Sequence, residues 1–231
     1  MELPGRLAAL AIHVPAGSVL ADIGTDHALL PVFLLKNGIC PRAIATELNN
    51  GPFLAAEEAI GQSGLKELIE TRQGDGLQVL RPGEAQVIVI AGMGGNTIRG
   101  ILAGAPQVLE RVERLVLQPM ADAGDLRLWL CQNGWKIADE VLVEENGRVY
   151  VVIVAEHGLE ATADPLLLEL GPRLLENRDP LLKFHLEKVV MDYRRALSGL
   201  AKSGSSAARE KALLLREKEA KIERLFNCLQ P

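Results

Sequence analysis

The chain has 231 residues, 48% of them apolar, with a formal charge of −5, which suits one ordinary domain with a real core and an appendage. Aromatic residues make up only 3%, leaving few of the stacking platforms used on single-stranded nucleic acid. Cys40, Cys131 and Cys228 are odd in number and far apart, and neither a signal-like leader nor an apolar run of ~20 residues is apparent; disulfide frameworks, zinc sites and membrane partners are therefore not indicated, and buried thiols in the cytoplasm are expected.

In chain order, apolar runs at 18–23, 42–46, 86–91 and 114–117 are short and continuous, as parallel strands covered on both faces should be. Helical spacing follows each of them, at 28–36, 52–61, 96–103 and 123–132, with Gly38, Gly104 and Gly134 as stop signals after three. Strand and helix in alternation predict an α/β fold, a doubly wound sheet with right-handed crossovers. Two further strand patterns, 136–143 and 148–155, flank Glu144-Glu145-Asn146-Gly147, and the Asn-Gly pair predicts an antiparallel hairpin that closes the sheet.

Beyond Ala155 the pattern changes. Leu182, Leu186, Val189, Tyr193, Ala196 and Leu200 follow a 4-3-4-3-4 spacing, and Ala208, Leu215, Ile222 and Leu229 recur every seven residues. Ser203-Gly204-Ser205-Ser206 between them has turn composition, so two antiparallel helices are expected to zip together. Charge divides at the same place. Residues 1–157 hold 12 Lys and Arg against 19 Asp and Glu, a balance of −7, whereas residues 158–231 hold 13 against 11, a balance of +2. The expected division is a domain at 1–157 and a helical domain at 158–231.

Four places offer chemistry. Asp22 and Asp26 flank Gly24 where the first strand ends, the position at which open α/β sheets bind ligands. The Gly-x-Gly-x-x-Gly fingerprint is missing there, which argues against NAD or FAD; an acidic turn suits a cation such as the sulfonium and ammonium of S-adenosylmethionine. Asp26 capping a helix is the bland alternative. Glu47 ends the second strand at the spacing of a carboxylate that takes both ribose hydroxyls, although a lone loop Glu is usually only solvated. Gly74-Asp75-Gly76 reads as an adenine slot or as a simple turn. Ala91-Gly92-Met93-Gly94-Gly95-Asn96 leaves bare backbone at a central strand end, read beside the others as the floor where donor and acceptor meet. His27 either orders this site and binds the donor's carboxylate or is structural. Trp129 and Trp135 read as core or interface residues, and Arg127 as a phosphate contact or a structural residue.

The succession Asp22-Ile23-Gly24-Thr25-Asp26-His27-Ala28-Leu29-Leu30-Pro31, Gly92-Met93-Gly94-Gly95, Leu117-Gln118-Pro119 and Asn133-Gly134-Trp135 resembles the bacterial tRNA adenine-22 N1-methyltransferase family along the full chain. Arg6-Leu7 is similar to that family's opening helix, while Met120 stands where the family often has Asn. The resemblance implies a class I, Rossmann-like methyltransferase sheet with a C-terminal α-helical coiled-coil hairpin. It implies S-adenosylmethionine as cofactor, held by Asp22, Ile23, Gly24, His27, Glu47, Leu48, Asn49, Asp75, Gly76, Gly92 and Met93. It further implies a tRNA partner met by Arg6, Gly94, Gly95, Gln118, Pro119 and Arg127. Asp26 is expected to be the catalytic carboxylate, accepting from the N6 amine of the target base, with no metal; the sequence leaves the oligomeric state open, monomer being favoured. Lys183, Lys188, Arg194, Arg195, Arg209 and Arg216 on the helical hairpin are candidates to track the tRNA backbone, against the reading that they are only solvated. A methyltransferase of a small molecule and a non-catalytic binding module on the same fold are the alternatives.

Overall fold

The computed structural model describes residues 3–162, 164–202 and 205–229; Ser203 and Gly204 of the expected turn, and the side chains of Cys228 and Leu229, lie outside the described residues. Five strands, β1 Leu20–Ile23, β2 Ala43–Glu47, β3 Ile69–Gln73, β4 Val87–Met93 and β5 Arg114–Pro119, run parallel. Strands β6 Trp135–Glu145 and β7 Arg148–His157 complete one sheet in the order β3-β2-β1-β4-β5-β7-β6. The helices of the sheet region are α1 Gly5–Ile12, α2 Leu29–Lys36, α3 Asn50–Ser63, α4 Gly95–Ala103, α5 Pro106–Leu109 and α6 Ala123–Gln132.

Alternation along each strand builds two cores. Leu20, Ala43, Val87, Val89 and Val116 join Leu10 of α1 and Leu34 of α2 on one face, while Ile23, Ile88, Ile90 and Leu117 join Ile98 of α4 and Leu126 of α6 on the other. The doubly wound expectation holds for this reason: strands buried on both faces leave no room for polar alternation. Asn146 and Gly147 both take positive φ, 53° and 74°, as a two-residue turn matched to strand twist requires. The hairpin enters the sheet in an order the sequence did not predict, with β7 against β5 and β6 at the edge. Strand β3 has no apolar run to announce it. Only Ile69 and its neighbours' backbones serve the ladder, and Arg72 bridges Glu70 at 2.9 Å and Glu84 at 2.6 Å on this edge.

Four helices follow the sheet: α7 Pro165–Leu170, α8 Pro172–Glu176, α9 Leu182–Leu200 and α10 Ser206–Leu229. Arg194 of α9 pairs with Glu219 of α10 at 2.6 Å, and Leu197 and Leu200 approach Ala208 and Ala212, so the two long helices are antiparallel as their stripes predict. Leu182, Leu186, Val190 and Tyr193 of α9 and Ile222 of α10 belong to the same apolar cluster as the sheet. The buried stripe therefore turns to Val190 rather than Val189, because the first half of α9 serves the sheet as well as its partner helix. Among the described residues, no helix is long and apolar enough to cross a membrane.

Arg127 corrects the phosphate reading. It is wholly buried, with Nε donating to Glu140 Oε1 at 2.5 Å and Nη1 donating to the carbonyls of Leu168 at 3.0 Å and Glu169 at 3.1 Å. The other oxygen of Glu140 accepts from the Arg173 amide at 3.0 Å. This pair ties α6, β6, α7 and α8 together and offers nothing to a phosphate outside. Trp135 is likewise core, stacked on His157 at 4.1 Å between centroids, whereas Trp129 is half-buried against the same cluster. Glu140→Ala is expected to cost about 3–5 kcal/mol in urea unfolding, since it strands a buried guanidinium. The double variant Arg127→Met/Glu140→Leu should recover most of that loss.

Candidate active site

Strands β1, β2 and β4 end level with one another: Ile23 lies opposite Thr46 on one side and Ile90 on the other. Beyond their carboxyl ends opens a cleft of about 520 Å³, within the range of small-molecule sites. Arg6, Asp22, Ile23, Gly24, Asp26, His27, Glu47, Leu48, Asn49, Asp75, Gly76, Gly92 and Met93 all border it.

The turn after β1 is held by backbone. Gly24 and Thr25 both donate to the Thr46 carbonyl, at 2.9 and 3.1 Å, and Gly24 has φ 71°, a conformation that favours glycine, with the mobile end of Met93 packed where a Cβ would stand. Asp26 and Ala28 also take left-handed φ, near 53° and 52°. The helix α2 starts at Leu29 with Ala28 before it and no side-chain cap, so the capping alternative for Asp26 is not what the structure contains. Its carboxylate projects outward, 69% exposed, 3.8 Å from the exposed His27 ring. Glu47 accepts from the Asp26 amide at 3.1 Å through one oxygen and from the Leu48 amide at 3.0 Å through the other. Two backbone donors thus fix a carboxylate whose remaining lone pairs are free for hydroxyls.

Asp22 differs from both. It is almost completely buried, and its one side-chain partner is the Thr25 hydroxyl, which donates to Oδ2 at 2.5 Å. Burial pushes its carboxyl from the usual 3.8 up to about 6, opposed by the Thr25 hydrogen bond and aided by the nearby charge of Glu47. Among the described residues no cation pairs with it. The Thr46 hydroxyl on the same floor is also buried without a partner. Such groups suit a ligand that brings its own positive charge and donors. Among the described residues, no group of three His, Cys, Asp or Glu side chains is placed to hold a metal.

The glycines divide by role. Gly92 has φ 76° and stands exposed beside the cleft, its amide donating to Gln118 Oε1 at 3.1 Å. Gly95 is buried, and a Cβ there would lie 2.4 Å from the Asp122 carbonyl oxygen; packing of α4 on the 121–122 backbone demands that glycine, so it is not bare floor for a substrate. Gly94 precedes α4 and does not line the cleft. Gln118 is wholly buried. Its Oε1 accepts from both Gly92 and Arg6 Nη1, at 3.1 and 3.0 Å, and its Nε2 donates to the Pro119 carbonyl at 3.0 Å. Gln118 therefore braces Gly92 and Arg6 from within the body, and neither Gln118 nor Pro119 lines this cleft. Arg6 is braced in turn by Glu145, 3.5 Å from Nε, and by the Tyr150 ring at 5.2 Å.

Asp75 is exposed at the cleft, while Gly74 and Gly76 have packing reasons of their own: added Cβ atoms would meet Val79 and Ile101 at 2.1 and 2.9 Å. Leu7, Thr25, Thr46, Thr97 and Ile101 are among the further lining residues, with Leu29, Leu30, Pro52 and Ala91, and were not among the expected site residues. Thr97 and Ile101 stand four apart on one helix face, a spacing visible in the chain, but which face turns to the cleft is decided by the Gly95 contact. The sign of the Asp22 effect is testable. Between the ordinary pKa and the raised one the unfolded carboxylate ionises first, so stability falls as pH rises through that window. Asp22→Asn should gain on the order of 2–3 kcal/mol at about pH 8, a gain that fades toward about pH 4, read by urea melts at both.

A family model described as a methyltransferase domain matches residues 3–153. The tRNA (adenine(22)-N(1))-methyltransferase of Bacillus subtilis is 45% identical over 172 residues, which span 74% of this chain and 72% of that relative. The crystal structure of the B. subtilis m1A22 tRNA methyltransferase superposes with a TM-score of 0.86 at 34% identity, covering 97% of this chain and 98% of its own. A Streptococcus pneumoniae protein solved in complex with S-adenosyl-L-methionine gives a TM-score of 0.82 at 33% identity, covering 97% and 99%. By the match of the methyltransferase domain and by this identity, the chain belongs to the tRNA (adenine(22)-N(1))-methyltransferase family.

Proposed function

We propose that the protein transfers a methyl group from S-adenosylmethionine to N1 of adenine 22 in tRNA. The observation that carries this reading is Asp22, a carboxylate buried without a cation at the floor of a nucleoside-sized cleft. Family membership supplies the acceptor.

The cofactor, when bound, supplies an electrophilic methyl group on a sulfonium. Asp22 would face its positive charge, Glu47 would take the ribose hydroxyls and Asp75 would accept from the adenine amine, with Ile23, Gly24, Leu48, Asn49, Gly76 and Met93 lining the same cleft. His27 stands at the rim for the donor's carboxylate. Adenine N1 has an in-plane lone pair and needs no base to become a nucleophile. The protein's contribution is alignment of donor and acceptor at ~3–3.5 Å, with the target base turned out of the tRNA toward Gly92. Asp26, exposed at the mouth, accepts from the N6 amine, fixing the base and stabilising the positive charge that N1 alkylation creates.

Residues 1–157 are proposed as the methyl-transfer unit and 158–231 as the tRNA handle, acting as a monomer in the cytoplasm. Incubation with labelled donor and unmodified tRNA should place the label at N1 of adenine 22, mapped by reverse-transcription arrest; label elsewhere, or none, overturns the reading. Asp26→Asn should slow single-turnover transfer on the order of 10²-fold while calorimetric donor affinity changes by less than about threefold. Equal losses in both would make Asp26 a binding residue only.

A further inference from the structure

A second cleft, of about 550 Å³, lies between the end of β5, the start of β7 and the first half of α9. Met120, Arg148, Tyr150, Phe184 and Lys188 line it. It adjoins the methyl-transfer cleft through one side chain: Arg6 borders the first cleft, donates to Met120 Sδ at 3.7 Å and lies over the Tyr150 ring. Met120 and Phe184 are 46% and 50% exposed and face one cleft together, apolar surface on which a flat ring can lie.

The charges here are available. Among the described residues, neither Arg148 nor Lys188 is in an ion pair, whereas the acids of the same cleft are engaged elsewhere: Asp192 takes Arg195 at 3.1 Å and Asp122 accepts from Asn96 at 2.9 Å. Phe184 and Lys188 are four residues apart on α9, so a stacking ring and a cation share one helix face. Aromatic and apolar surface interleaved with free cations matches a base and its phosphodiester.

We infer that this cleft receives a nucleotide of the tRNA flanking the one that is methylated, its base against Phe184, Tyr150 and Met120 and its phosphate between Arg148 and Lys188. The inference rests on the proposed tRNA activity and on Arg6, which borders the first cleft and touches Met120 and Tyr150 of the second. A protein partner is the competing occupant. Binding of unmodified tRNA to the full chain, measured across a salt series, separates them. Phe184→Ala should weaken tRNA binding about tenfold and raise its KM alike, with calorimetric donor affinity at the wild-type value, and Phe184→Tyr should restore it. Arg148→Ala/Lys188→Ala should flatten the slope of log K against log salt by about 0.7, the share of the one phosphate they hold. Wild-type affinity and slope in these variants, or failure of Phe184→Tyr to restore binding, overturns the nucleotide assignment while the methylation reading stands. A wild-type protein that neither binds nor methylates tRNA overturns the activity itself.

Discussion

The site depends on the parallel pairing of β1 with β2 on one side and β4 on the other. With β1 between them, the crossover through α2 and the later return to β4 depart on opposite faces of the sheet, and a crevice opens where they diverge. The turns that carry Asp26, Glu47 and Asp75 are tied to that ladder. The Thr46 carbonyl closes the Gly24 turn, Glu47 holds the Asp26 amide, and Gly74 donates to the Glu47 carbonyl at 2.8 Å. Left-handed backbone at Gly24, Asp26 and Ala28 is the conformational cost of turning so tightly, and it is concentrated where a ligand must come close.

Two buried charges show how differently the same physics is used. Arg127 and Glu140 are buried as an ion pair, and each makes further hydrogen bonds to backbone, with Arg127 Nη2 left without a partner among the described residues; they fasten the last helices to the sheet. Asp22 is as deeply buried but has only a hydroxyl beside it, and its raised pKa is the measure of that imbalance. A closed pair gives rigidity. An open one gives affinity for whatever cation completes it.

The second half of the molecule is joined to the first more closely than a linker would allow. Glu169 of α7 accepts from Tyr193 at 2.6 Å and pairs with Lys218 of α10 at 2.5 Å, so sheet, short helices and hairpin share one apolar cluster. No residue of α9 beyond Tyr193 belongs to that cluster. The hairpin thus starts as part of the body and continues on contacts between its own two helices, a suitable arrangement for holding a large substrate in a set relation to the cleft.

By itself, the sequence determined the element types, because period and punctuation are local: continuous apolar runs, glycine stops, the Asn146-Gly147 turn and the seven-residue spacing of α10 each act over a few residues. It also determined which residues gather at the cleft, since Asp22, Gly24, Glu47, Asp75 and Gly92 all lie at or just beyond strand ends, and strand ends converge in any parallel sheet. Strand β3 stayed hidden because an edge ladder needs little apolar surface, and α7 and α8 because helices of six and five residues carry too few turns to show a period. Only the tertiary structure decided which polar residues face the cleft and which are enclosed. Arg127, Gln118 and Gly95 read as substrate contacts in the chain, yet their partners Glu140, Arg6 and the 121–122 backbone come from distant segments, and whether a polar group is satisfied inside depends on neighbours that only folding supplies.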